Sequence, residues 1–165
     1  SEQGKQAFRK MNFGEAADLF YQAAEGYTSD RAGLMAAEMR NNMSVALLQA
    51  GKAQESLAAA LDTDRVFAEI QDIKRQGMAL GNQAAALEAL NRYDEAIEKY
   101  DLAAQLFSQV GEGDLRSLVM KSSAAIKLKT GKVTDSAFKM MGSLEAKEHP
   151  GFFERILKFL LRFIK

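Results

Sequence analysis

Apolar residues recur along this chain at the three- and four-residue steps of an α-helix. Leu80, Ala84, Leu87 and Leu90 form one such stripe, and Ala96, Ile97, Tyr100, Ala103, Ala104 and Phe107 form the next. Runs in which Val, Ile or Thr alternate with polar residues, the mark of a half-buried strand, are missing, and there is a single proline. The pattern predicts an all-α protein. Turn residues and candidate caps divide it into nine helices at about 2–10, 13–28, 30–50, 53–70, 72–90, 93–109, 114–130, 133–147 and 151–165.

The breaks between these helices are not scattered. Met11-Asn12-Phe13-Gly14-Glu15-Ala16, Gly51-Lys52-Ala53-Gln54-Glu55-Ser56, Asn91-Arg92-Tyr93-Asp94-Glu95-Ala96 and Gly131-Lys132-Val133-Thr134-Asp135-Ser136 follow one another at a constant spacing of 40 residues. Gly51, Asn91 and Gly131 suit the left-handed conformation that ends a helix, with Met11-Asn12 in the same place in the first unit. Lys52, Arg92 and Lys132 follow, where a cation suits the negative end of the preceding helix. A second break falls roughly twenty residues on in each unit, with Asp30, Asp72 and Asp114 as N-caps or first-turn acids and Pro150 at a helix start. A fixed period of this length implies helix pairs that bury their apolar faces only by stacking on their neighbours.

The units resemble tetratricopeptide repeats. The third is the closest match: Ala84 stands at the small-residue position that lets two helices approach, Leu87 fills the next core position, and Tyr93-Asp94-Glu95-Ala96-Ile97-Glu98-Lys99-Tyr100 with Ala103 is similar to the start of the family's second helix. Ser44 and Ala124 hold the small-residue position elsewhere, Ala16, Ser56 and Ser136 open the other second helices, and the aromatic position is Phe20, Ala60 or Met140. The family's usual period is about 34 residues, and the proline that often closes its unit is missing. The longer repeat resembles that of Partner-of-Inscuteable-type adaptors and, more loosely, of soluble NSF attachment proteins. The resemblance implies a right-handed superhelical solenoid of about four helix pairs over residues 1–149, the first clipped, followed by an amphipathic capping helix over 150–165. For activity it implies a protein-interaction scaffold.

Composition narrows the chemistry. Lys+Arg and Asp+Glu balance at 22 each, so the basic face that nucleic-acid phosphates require is not expected. The absence of cysteine excludes disulfides and thiolate metal sites and fits a reducing compartment. His149 precedes Pro150 and reads as a boundary residue rather than a ligand or base. Gly51-Lys52 and Gly131-Lys132 lack the second glycine, the following Ser or Thr and the strand of a phosphate-binding loop. Asp62/Asp64 and Asp94/Glu95 read as acids at helix starts or on solvated faces, and Met43, Met120 and Met140 as gap-fillers in the stack. No catalysis, cofactor or metal is expected. Ser1-Glu2-Gln3-Gly4-Lys5 lacks the apolar core of a signal peptide, and a cytoplasmic location is expected.

Binding is expected on the concave wall, which in this family is built from the first helix of each unit. Asn42, Asn82 and Ser122 form a ladder at the repeat spacing; in the family an asparagine here often bonds the backbone of an extended peptide. Glu38, Asn41, Val45 and Gln49, then Met78 and Ala85, then Leu118, Lys121, Ala125 and Lys129 share that face, which grows more apolar and basic along the chain. The clamp with which some members grip acidic chaperone tails is matched by Lys5 and Asn42, but Met78 and Asn82 stand where it needs bases, which argues against that role.

The segment after Gly151 carries Phe152, Phe153, Ile156, Leu157, Phe159, Leu160, Leu161, Phe163 and Ile164 against Glu154, Arg155, Lys158, Arg162 and Lys165. On a helix this is a wide apolar face beside a basic one, too short and too charged to span a bilayer. It suits a cap. The surplus of Phe152, Phe159 and Phe163 also suits self-association into a homo-oligomer or contact with a membrane surface.

Overall fold

The computed structural model describes residues 1–29 and 32–132. Among them every regular element is a helix: α1 Glu2–Arg9, α2 Phe13–Ser29, α3 Gly33–Gln49, α4 Ala53–Ala60, α5 Thr63–Glu69, α6 Ile73–Ala89, α7 Tyr93–Gln109 and α8 Gly113–Lys129. No described helix is long and apolar enough to cross a membrane. Two compact units are distinguishable, Ser1–Ile126 and Lys127–Lys165. The predicted helices at 133–147 and 151–165, and with them Met140, His149, Phe152, Phe159 and Phe163, lie outside the described residues.

A finer regularity underlies the 40-residue repeat. α2, α3, α6, α7 and α8 are each 17 residues long, and, with α4 and α5 counted together, helices from Phe13 onward start 20 residues apart, at 13, 33, 53, 73, 93 and 113. One backbone device closes the preceding helix in each case. The N–H groups of Asn12, Ala32, Lys52, Asp72, Arg92 and Glu112 reach back five residues to the carbonyls of Ala7, Tyr27, Leu47, Phe67, Leu87 and Phe107, at 2.8–3.0 Å. Such a bond needs a left-handed residue just before its donor; Met11, Gly51, Gln71, Asn91 and Gly111 all have φ between 59° and 77°. Lys52 and Arg92 turn forward rather than back to the helix they follow: Lys52 pairs with Glu55 at 3.4 Å and Arg92 with Glu95 at 2.6 Å. Asp72 caps α6 by accepting from the Arg75 N–H at 3.0 Å, and Asp114 lies in the first turn of α8.

Within Ser1–Ile126, packing follows the small residues. Ala84 and Ala96 are completely buried at the approach of α6 and α7. Their counterparts one repeat earlier are Ser44 and Ser56, whose buried hydroxyls lie 3.0 Å apart while Ser56 also donates to the Ser44 carbonyl at 2.8 Å. Polar atoms at this depth are tolerated because they satisfy one another. Two glycines admit aromatic rings: a Cβ on Gly4 would meet Phe20 at 2.8 Å, and one on Gly77 would meet Phe107 at 2.8 Å. Leu80, Leu87, Tyr100, Phe107, Val119 and Ile126 form the largest apolar cluster, and Phe20, Met39 and Leu47 anchor a second. Met43 packs partly buried against that second cluster. Met120 does not fill a gap among the described residues, being 48% exposed.

The helix predicted at 53–70 is divided. Leu61 takes an extended conformation and Asp62 a left-handed one, φ 61°, so α4 and α5 stand where α2 and α7 are continuous. Asp64 is therefore not simply a solvated acid: it accepts from Gln83 Nε2 at 2.7 Å. Ala60, the last residue of α4, presents its carbonyl to Thr63 Oγ1 at 2.8 Å and to Gln83 Nε2 at 3.0 Å. Thr63 and Gln83 are both buried, and their bonds replace those the interrupted helix gives up.

Candidate functional site

The positions singled out on the first helices occur on α3, α6 and α8. Steps of about 100° per residue put Glu38, Asn42, Val45 and Gln49 on one stripe of α3, with Glu38, Asn42 and Val45 half-buried and Gln49 exposed. On α6, Met78 is 41% exposed while Asn82 and Ala85 are half-buried. On α8, Leu118, Lys121, Ala125 and Lys129 are exposed and Ser122 is half-buried.

Asn41 departs from expectation. Rather than facing a ligand it is buried, 8% exposed, and its Oδ1 accepts a hydrogen bond from Asn82 Nδ2 at 2.8 Å. The bond links α3 to α6 and fixes which way the Asn82 amide points, leaving its Oδ1 as an acceptor. Asn42 and Asn82, equivalent by repeat spacing, thus differ in surroundings: Asn82 is tied to Asn41, whereas Asn42 makes no side-chain hydrogen bond with another described residue.

Asn42 and Val45 line a cavity of about 240 Å³ with Lys5, Phe8 and Arg9 of α1 and Phe20 of α2. Gly4 lets the Phe20 ring reach this place. The walls are apolar and the cations stand at the α1 side. Glu2 lies 4.0 Å from Lys5 and 3.7 Å from Arg9, with all three side chains more than half exposed, so these pairings hold the cations only weakly. The sequence pattern does not single out Phe8 and Arg9, and it marks Phe20 only as an aromatic packing position. Subtracting one repeat length from Val45 and Gln49 gives Lys5 and Arg9, which is the signal that points to the α1 side of the cavity.

Around Ser122 the surroundings are polar. Tyr100, which Ser122 approaches, donates to Glu88 Oε2 at 2.9 Å. Burial, and then the Glu88 carboxylate, raise the Tyr100 hydroxyl well above the ordinary tyrosine value, which keeps it a donor. Ser123 donates to Asp101 at 2.8 Å. Among the described residues no three His, Cys, Asp or Glu side chains are grouped so as to hold a metal. The face offers amides, apolar walls and cations.

Comparison with known proteins yields no matching family model, no matching curated protein and no matching solved structure.

Proposed function

We propose that this chain is a non-enzymatic scaffold of tetratricopeptide type, its helix pairs stacked as a right-handed solenoid, that holds an extended peptide or partner segment against its first helices. The observation that carries the reading is the cavity between α1 and α3, where Asn42 and Val45 meet Lys5, Phe8 and Arg9 over the ring of Phe20. An amide that can bond a peptide backbone stands there beside apolar walls able to take a side chain. Lys5 and Arg9 favour a segment with an acidic group, and Asn82, oriented by Asn41, supplies a second backbone contact one unit further on.

The test begins with a peptide selected from a random displayed library against the whole chain. Its affinity is then measured for the unaltered protein, for Asn42→Ala with Lys5→Gln, and for Tyr21→Ala, an exposed position on α2. The first variant should bind about tenfold more weakly, the equivalent of about 1.4 kcal/mol, with unchanged melting, and the second should bind normally. Unaltered binding by the folded Asn42→Ala, Lys5→Gln variant would move the site elsewhere.

A further inference from the structure

The break between α4 and α5 has no counterpart in α2 or α7, which run continuously through the equivalent residues. It places Asp62 in a conformation that residues with a side chain seldom adopt, and two buried polar side chains, Thr63 and Gln83, hold the chain ends in place. Strain kept in this way invites a functional explanation. Beside the break lies a cavity of about 300 Å³ between α2, α3 and the Leu61–Asp62 link, lined by Thr28, Gly33, Ala37, Arg40, Leu61 and Val66 among others.

We propose that this notch is a second docking site, for a partner segment that carries one large aliphatic or aromatic side chain next to a carboxylate. The apolar side chain lies over Val66 and against Leu61, which is 60% exposed without it. The charge at the notch sets the neighbouring group. Asp62 pairs with Arg65 at 3.1 Å on the exposed surface, so Arg40, Asp62 and Arg65 together leave one positive charge in excess at the notch. That excess favours an acidic neighbour. Positions 33, 36, 37 and 40 lie on the far side of α3 from 38, 42 and 45 at about 100° per residue, so this site is separate from the proposed peptide groove and stands or falls without it.

The experiment is a titration of the ¹⁵N-labelled full chain with acetyl-Leu-Asp-amide, followed by amide shifts in two-dimensional NMR. The amides of Gly33, Ala37, Leu61 and Thr63 should shift in a saturable manner. Acetyl-Ala-Asp-amide should bind about tenfold more weakly, as loss of a buried leucine side chain implies. Gly33→Phe should abolish these shifts by filling the notch, and because nothing lies within 4 Å of a Cβ at Gly33 the variant has room to fold. Arg40→Glu, at an exposed position, should weaken acetyl-Leu-Asp-amide by about fivefold or more and strengthen acetyl-Leu-Lys-amide; it carries the same test should Gly33→Phe lose helicity. Silent notch amides, shifts that persist in a folded Gly33→Phe variant, or equal affinity for the two charged peptides in both backgrounds would overturn the proposal. Shifts confined to Lys5, Asn42 and Val45 would overturn it too while leaving the groove reading intact.

Discussion

Exchanging Gln71 for glycine should stabilise the protein, and placing glutamine at Gly111 should destabilise it by a similar amount. Both residues sit one repeat apart in the same helix-ending turn, with φ 59° and 72°, and both precede an N–H that reaches back five residues. A residue with a Cβ in this region costs roughly 1–2 kcal/mol, while glycine gives back part of that, about 0.5–1 kcal/mol, through the greater freedom it loses on folding. The difference is about 0.5–1 kcal/mol in each direction. Side-chain contacts should not disturb the balance, because Gln71 is exposed and nothing lies within 4 Å of a Cβ built on Gly111. For a chain of this size the expected change in melting temperature is about 2–4 °C per kcal/mol, readable by circular dichroism alongside urea melts. The double exchange should return close to the starting stability, apart from a few tenths of a kcal/mol of coupling through the Lys74–Glu112 ion pair that joins the two turns. A destabilised Gln71→Gly variant, or a Gly111→Gln variant as stable as the parent, would refute the left-handed turn as the shared device.

Three further outcomes follow from the packing. In urea melts, Gly26→Ala should add about 0.5–1 kcal/mol, since space is open around Gly26, while Gly77→Ala should cost about 1–3 kcal/mol, because its Cβ would lie 2.8 Å from the Phe107 ring. Ser56→Ala should cost about 1–3 kcal/mol by leaving the buried Ser44 hydroxyl without its partner; Ser44→Ala with Ser56→Ala reproduces the alanine pair of the next unit and should be far less costly, a non-additivity that a double-mutant cycle would detect. For Tyr100, burial and Glu88 raise the native pKa above the unfolded value of 10.0, so the stability it contributes is complete below pH 10.0 and lost as pH rises beyond it. The stability difference between the parent and Tyr100→Phe should therefore be constant at lower pH and shrink above that point; a constant difference throughout would contradict the assignment.

Where the repeat and its turns could be read from the sequence, the determinant was local. Gly51, Asn91 and Gly131 announce left-handed turns by residue type, and the helical spacing of Leu80, Ala84 and Leu87 announces a buried stripe that the structure bears out. Gln71 adopts the same turn with no such signal in its residue type, and the bond from Asp72 to Phe67 goes with it. The division of the helix at Leu61–Asp62 was invisible for a non-local reason: Gln83, which holds the Ala60 carbonyl, lies 23 residues further along the chain. The helical position of Asn41 predicts a groove-facing side chain, yet it is buried and bonded to Asn82, 41 residues away. Asn42 and Val45 were legible as a face, and the cavity they enter was partly so, since the repeat carries them back to α1; the Phe20 floor depends on the close approach that Gly4 allows.

Site-specific photo-cross-linking tests whether ligand lies against α1 and α3, as proposed. A benzophenone side chain is placed at Val45, and in a second protein at Tyr21, and each is irradiated with the library-selected peptide at matched occupancy. The account predicts a covalent adduct from position 45, its attachment mapped by mass spectrometry and its yield reduced by excess unlabelled peptide, with none above background from position 21. Adduct from position 21 and none from position 45, with both proteins folded and binding, would contradict it.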